Sequence, residues 1–226
     1  MAQEAVAFFY PEGLGEKLRE QRLASELELN QTADFIQLEP QAYAKYETGE
    51  AFPTLVELET LAYYFDCLPE YFWESIDVDT PAESQKPEIN YGLIARIRRR
   101  SIGLTIRKFR IDAGLTLDQL AEALGISAPE LENIELGEVN IPVNQLFAAA
   151  DATGHTPREF LDRKSPVGAW AESYRIKIQL EDLPDELKEF AAKPINRPYL
   201  ELAKRLSEMP VKQLREIAEG LLEITL

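Results

Sequence analysis

The chain repeats part of itself once. When the 226-residue sequence is displaced by 88 positions, two segments align without a gap and share fourteen identical residues. Because identical residues at identical spacing favour identical structure, the two segments are expected to be two copies of one domain rather than a solenoid array. The identities fall 88 residues before their counterparts, at Gly15, Arg19, Arg22, Leu27, Leu29, Gln31, Ala33, Glu47, Gly49, Glu50, Leu58, Ala62, Pro69 and Phe72.

Helix signals are clearest in the second copy. Thr116 precedes the stretch LDQLAEAL as a helix N-cap, and Gly125 follows that stretch as a glycine able to adopt a left-handed turn. Ser127 is placed to cap a third helix, APELENIEL, which ends at Gly137. The chain is therefore predicted to be all-α. In the first copy the same pattern predicts helices over 15–25, 29–36, 40–48, 54–66 and 69–73.

This order of short helices resembles the lambda-repressor-like (Cro/cI, or XRE) helix-turn-helix family. The resemblance rests on GLTLDQLAEALGIS and IELGE in the second copy, and on the looser matches LELNQTADFIQLE and YETGE in the first. It covers roughly residues 13–75 and 101–163, and it implies two five-helix domains in tandem followed by a helical tail. The predicted division of the chain is a first domain at 1–76, a linker at 77–90, a second domain at 91–165 and a tail at 166–226.

The resemblance also implies which residues meet DNA. In this family the third helix enters the major groove, and the positions that face the bases hold Gln41, Ala44 and Lys45 in the first copy and Asn133 in the second. Gln can bond to adenine in a bidentate manner, and Lys can reach guanine. An Arg–Glu ion pair that links the first and third helices is a structural feature of the family, and its positions are filled by Arg22 with Glu47 and by Arg110 with Glu135.

The charge balance opposes a DNA-binding role. The net charge is −16, and residues 1–76 alone carry 4 Lys and Arg against 15 Asp and Glu. DNA binders normally need a basic surface, because phosphate contacts release counterions and supply much of the affinity. Many family members place Gln where this chain has Leu29 and Leu117, and the loops GEAFP and GEVNI after the third helices carry no Lys or Arg.

One basic segment stands out against this background. The stretch ARIRRRSIGLTIRKFR contains seven cations and no acid. Four of its arginines have no cationic counterpart in the first copy, and these are the predicted phosphate contacts: Arg96, Arg98, Arg99 and Arg100. The alternative is a solvated helix face that balances acidic neighbours.

The tail contains three amphipathic stretches, LPDELKEFAA, PYLELAKRLSEM and PVKQLREIAEGLLEITL. Short helices cannot close a core alone, so these should pack against another surface. The resemblance implies that such a tail dimerises, and the predicted seam consists of Leu214, Ile217 and Leu221. Packing of the tail on the chain's own helix-turn-helix domains is the alternative.

Other functional classes find little support in the sequence. The single histidine, His155, and the single cysteine, Cys67, form no metal cluster or nucleophile–base pair, so neither an enzyme nor a metal or other cofactor is expected. The chain has no apolar run of about 18 residues. Its first residues lack the basic start and apolar core of a secretory signal. We therefore expect no membrane partner and a cytoplasmic location.

The sequence leaves two functions open. The first is a transcription regulator that binds double-stranded DNA as a homodimer through tandem helix-turn-helix domains. The second is a co-regulator that binds proteins through degenerate helix-turn-helix domains and binds DNA little or not at all. Gln41 and Lys45 favour the first function, whereas Glu130 and Glu132 in the third helix of the second copy favour the second.

Overall fold

A computed structural model describes residues 13–74 and 86–215 of the chain. The described residues form helices and loops without a β-strand, and two of them, Thr54 and Pro142, form an isolated antiparallel bridge. The prediction of an all-α fold is therefore confirmed. The chain divides into two compact units, one that ends at Arg175 and one that begins at Ile176.

The first copy folds much as its sequence predicts. Glu28 and Gln31 form a reciprocal capping box at the start of α2, and Thr54 and Glu57 form another at the start of α4. Every boundary lies within two residues of its predicted position. The helices are α1 (Leu14–Ala24), α2 (Leu29–Phe35), α3 (Pro40–Glu47), α4 (Leu55–Tyr64) and a 3-10 turn at Pro69–Phe72.

The second copy has the same order of helices. Thr116 forms a capping box with Gln119, Gly125 is left-handed with φ of 67°, and the Ser127 side chain accepts a hydrogen bond from the amide of Glu130. The two predicted N-caps and the predicted left-handed glycine are confirmed. The helices are α5 (Tyr91–Asp112), α6 (Leu117–Leu124), α7 (Ala128–Glu135), α8 (Val143–Ala152) and a 3-10 turn at Pro157–Phe160.

Helix α5 is longer than its first-copy counterpart and longer than the repeat pattern predicts. The Asn90 side chain caps its N-terminus by accepting a hydrogen bond of 3.0 Å from the amide of Leu93. The side chains of Ile94, Arg98 and Ile102, spaced four residues apart, are buried, and α5 packs on α4 of the first copy. This extension ties the second copy to the first.

The first and third helices of each copy approach closely at a glycine that occupies the same position in both copies. A Cβ atom on Gly15 would lie 2.6 Å from the carbonyl oxygen of Tyr46, and Gly103 meets the carbonyl of Ile134 in the same way. Any larger residue would push these helices apart. The repeat therefore retains glycine here for packing reasons.

Both Arg–Glu ion pairs that the resemblance implies are present. The Arg22 guanidinium donates to the Glu47 carboxylate at 2.6 and 2.9 Å, and Arg110 donates to Glu135 at 2.6 and 2.8 Å. Each arginine also donates to the carbonyl of the residue five positions later. These bidentate pairs are largely buried and join the first helix to the third, so they fix the position of one helix on the other.

The first compact unit extends past the predicted end of the second domain. Helix α9 (Pro166–Glu181) begins in this unit, and its side chains Val167, Trp170 and Tyr174 are buried. The Tyr174 hydroxyl donates a hydrogen bond of 2.9 Å to the carbonyl of Asp66 in the first copy. Residues 166–175, which the sequence assigns to the tail, are therefore part of the first unit.

The second compact unit contains α10 (Asp185–Ala192), a 3-10 turn at Pro194–Asn196 and α11 (Arg197–Ser207). No residue of α10 or α11 is buried. Large apolar side chains are exposed on both helices, among them Leu187, Phe190, Tyr199 and Leu202. Of the predicted dimerisation residues, Leu214 is half-buried, whereas Ile217 and Leu221 lie outside the described residues.

Candidate nucleic-acid interface

Helix α3 presents the two polar side chains that the sequence assigns to base contact. Gln41 and Lys45 are exposed and lie one helical turn apart, and Ala44 beside them is half-buried. Pro40 begins the helix, and Tyr43 anchors its opposite side in the core with no exposed surface. An amide and an ammonium group on one exposed face can both reach into a groove.

Helix α7 presents a different surface at the equivalent positions. Its apolar side, with Leu131 and Ile134, is buried, and the exposed side carries Glu130, Glu132 and Asn133. The Asn133 amide can bond to adenine, but the two carboxylates repel phosphate groups. The helix therefore keeps the fold of the motif while its exposed charge disfavours close contact with a DNA backbone.

The four arginines of the basic run do not share one environment. Arg96 and Arg100 are exposed, whereas Arg98 is only 7% exposed. The Arg98 guanidinium donates to the Glu59 carboxylate at 3.1 and 2.8 Å and to the carbonyl of Phe160 at 2.7 Å. Arg98 cannot reach a phosphate, so the predicted phosphate contact is wrong for this residue. The reason is the four-residue spacing that places Arg98 in the buried row of α5 with Ile94 and Ile102.

Glu59, the partner of Arg98, has a 4% exposed side chain and receives a further hydrogen bond of 2.7 Å from the amide of Asp162. Burial raises the pKa of the Glu59 carboxyl, and the Arg98 guanidinium opposes that rise. The pair is thus a buried contact between α4 of the first copy and α5 of the second, supported by the segment after the 3-10 turn of the second.

Arg99 occupies an intermediate position. It is half-buried in a small pocket with Val56 and Ile102, at the junction of the two copies. Its Nε atom is buried and has no hydrogen-bond partner among the described residues. Arg99 is therefore only partly available to a phosphate.

Arg100 lies beside the loop that follows α7. A Cβ atom on Gly137 in that loop would be 2.7 Å from the Cα atom of Arg100. The sequence shows no cation in the loop itself, but α5 brings the exposed Arg100 side chain next to it. Sequence reasoning missed this proximity, because the two residues are far apart in the chain and no local pattern connects them.

The exposed side of α5 is apolar at its centre and basic at its edges. Its apolar side chains are 46 to 62% exposed and lie in one row at Leu93, Ile97 and Leu104. A groove of about 700 Å³ follows this row, and none of the described residues that line it is acidic. The cations that border the groove are Arg96, Arg100 and Lys108.

The single histidine and the single cysteine of the chain are both packed against other side chains. The His155 ring stacks on Phe109 with centroids 3.5 Å apart, and its Nδ1 atom lies 3.0 Å from the Glu159 carboxylate. Cys67 is fully buried, and burial raises the pKa of its thiol. Within the described residues no group of His, Cys, Asp and Glu is arranged to hold a metal ion.

Comparison with known proteins gives one finding. The helix-turn-helix (HTH_3) family model matches residues 106–161. The matched residues run from the second half of α5 through the 3-10 turn of the second copy, so this copy is similar to a family of DNA-binding regulators. No curated protein and no solved structure matches the chain. No helix in the described part of the chain combines the length and the apolar character needed to cross a bilayer.

Proposed function

We propose that this protein is a transcription regulator that binds double-stranded DNA in the cytoplasm through both copies of the repeat. The observation that carries the proposal is the helix-turn-helix match over residues 106–161, together with the same helices at the same spacing in the first copy. Helices α3 and α7 are the segments that would enter the major groove. Enrichment of defined sequences from random duplex DNA tests the proposal.

Within this function, base contacts belong to α3 and α7. Gln41 would bond to adenine, Lys45 would reach guanine, and the Ala44 methyl group would pack on a thymine methyl. Asn133 is the corresponding donor on α7. The exposure of Gln41, Lys45 and Asn133 supports this assignment.

Phosphate contacts belong to the exposed members of the arginine run. Arg96 and Arg100 are fully available, and Arg99 is available in part. We expect about two to three phosphate contacts per chain and hence a slope of about −1.8 to −2.7 for log K against log salt concentration. Such a slope is shallow for a DNA-binding protein, in keeping with the acidic composition.

Replacing Arg96 and Arg100 together by alanine is expected to make that slope shallower by about 1.8, because each lost phosphate contact contributes about 0.9. Sequence preference should stay the same, since phosphate contacts carry no base information. Titration of labelled duplex at several salt concentrations measures the slope. The control is Arg197→Ala with Arg205→Ala, which removes the same charge from exposed positions of α11. An unchanged slope in the α5 variant would remove Arg96 and Arg100 from the interface.

We also propose that the protein is a homodimer through its C-terminal region. The exposed apolar side chains of α10 and α11 support this, since helices that bury nothing are marginal alone. Changing Leu221 to Asp is expected to convert a dimer into a folded monomer in sedimentation experiments. The control Gln213→Asp adds the same charge at an exposed position and should leave the mass unchanged. A monomeric wild-type chain would contradict the proposal.

A second candidate function is protein binding, and the basic-edged apolar groove on α5 favours it. Its charge is complementary to an acidic amphipathic helix, with leucines against Ile97 and Leu104 and glutamates against Arg96 and Arg100. A designed helical peptide with leucine at a and d and glutamate at e and g is a suitable probe. Ile97→Asp with Leu104→Asp should weaken its binding at least ten-fold, whereas Leu23→Asp, at an exposed leucine of α1, should not. Absence of binding to the wild-type protein would exclude this candidate.

A further inference from the structure

The two copies contact each other at equivalent positions. Thr54 and Pro142, which form the isolated antiparallel bridge, are themselves 88 residues apart and hence counterparts in the repeat. Next to them, the amide of Val143 donates a hydrogen bond of 2.9 Å to the carbonyl of Pro53. A residue contacts its own counterpart where the two copies meet at a local rotation axis, and the antiparallel sense of this bridge is that of a twofold axis, as in the isologous interface of a symmetric dimer.

Contacts farther from the bridge occur twice, once from the first copy to the second and once from the second copy to the first. The ring of Trp73 in the first copy packs on Phe147 of the second, with centroids 5.4 Å apart. The counterparts of these residues are Leu161 and Glu59, and Glu59 accepts its hydrogen bond from the amide of Asp162, the residue after Leu161. The fourth helix of each copy therefore reaches the segment that follows the 3-10 turn of the other, as a twofold relation requires.

The interface between the copies is fixed by buried polar contacts. Arg98 joins Glu59 of the first copy to the carbonyl of Phe160 in the second, and all of these atoms lie in the interior. At the surface, Arg158 pairs with Glu74 across the same interface. The two copies also belong to one compact unit. Their relative orientation is thus set by the fold and is not that of independent domains on a linker.

A twofold axis relates two equivalent helices so that both point equally far along the direction of the axis. The exposed faces of α3 and α7 therefore project to the same extent toward the same end of the local axis. A duplex laid across that end would meet both helices in the way that it meets the two recognition helices of a symmetric dimer. The difference is that the two helices carry unlike side chains at equivalent positions, with Lys45 in α3 where α7 has Asn133.

From this geometry we infer that one chain is a covalent pseudo-dimer that reads a single asymmetric site with two unlike half-sites, α3 on one half and α7 on the other. This inference rests on the proposed function and adds the form of the DNA site and the number of chains on it. Paired recognition helices read half-sites whose centres are about 10 base pairs, one turn of the duplex, apart, and we expect the same spacing here. The α3 half carries more sequence information, because α7 exposes Glu130 and Glu132.

The test is selection from random duplexes with the full chain, followed by stoichiometric titration of the enriched duplex. Two unlike blocks about one helical turn apart, saturated at one chain per duplex, are the expected result, so that each chain of the proposed homodimer holds a duplex of its own. Lys45→Ala should lower the preference at one block by roughly ten-fold, and the matched variant Asn133→Ala should affect only the other block.

The outcomes separate the inference from the proposed function. A palindromic site saturated at two chains per duplex, or a single block that responds to only one of the two variants, would overturn the pseudo-dimer while leaving DNA binding intact. Absence of any enriched sequence would overturn the proposed function, and the inference with it.

Discussion

Replacing Arg98 by alanine is expected to lower the free energy of unfolding by about 3–5 kcal/mol, which is the usual cost of removing one partner of a buried ion pair. The reason is that Glu59 would keep a buried carboxylate with a single donor, the amide of Asp162. Denaturant unfolding followed by circular dichroism measures the change. Arg197→Ala, at an exposed arginine of α11, is the control and should change stability by no more than about 0.5 kcal/mol.

The loss in Arg98→Ala should depend on pH in a defined direction. Without the guanidinium that opposes it, burial would raise the pKa of Glu59 further above the unfolded value, so the folded variant binds a proton more tightly than the unfolded chain. The loss of unfolding free energy in Arg98→Ala should therefore be smaller near pH 4 and grow as pH rises toward 7.

Replacing both Arg98 and Glu59 by Met should restore much of the stability, since Glu59 then leaves no buried carboxylate without its arginine partner. A deficit under about 1 kcal/mol in the single variant would contradict the assigned role.

Replacing Gln41 and Lys45 together by alanine is expected to remove most sequence preference. Each good base contact contributes about 1–3 kcal/mol of discrimination, so the pair accounts for roughly a hundred-fold or more. Helix α7 cannot compensate. A carboxylate about 4 Å from a phosphate costs about 4 kcal/mol at an effective dielectric near 20, before salt screening. Competition between the selected duplex and a scrambled duplex measures the preference.

The matched variant for this prediction is Glu132→Ala, at the α7 position equivalent to Ala44 in α3. Removing this carboxylate should leave sequence preference intact and should raise overall affinity, because one repulsive contact with the backbone is lost. If the α3 double variant keeps its preference while Glu132→Ala loses it, the assignment is wrong and α7 is the principal reading helix.

Helix positions could be predicted from the sequence because their signals are local. Thr116, Ser127 and Gly125 bound α6 and α7 through hydrogen bonds and backbone angles that involve only near neighbours. Alignment of the two copies then predicts the boundaries of the equivalent helices in the first copy. Nothing comparable marks the end of the first compact unit at Arg175, since the burial of Trp170 and Tyr174 depends on partners in the first copy.

The basic run contains arginines in two different environments. Composition alone places Arg98 with Arg96 and Arg100, because all three are cations in one stretch. The spacing of Ile94, Arg98 and Ile102 already places Arg98 on the apolar row of an amphipathic helix, and that pattern could have separated it. The proximity of Arg100 to Gly137 and the local twofold axis could not be predicted, because both depend on how helices distant in sequence pack together.

Selection of random duplex DNA by the wild-type chain at two salt concentrations tests whether this protein recognises DNA. We predict that the same sequences are enriched at both concentrations and that affinity falls only modestly at the higher one, since few phosphate contacts are made. Enrichment of no sequence at either concentration would contradict DNA recognition by this protein and leave the groove on α5 as its functional surface.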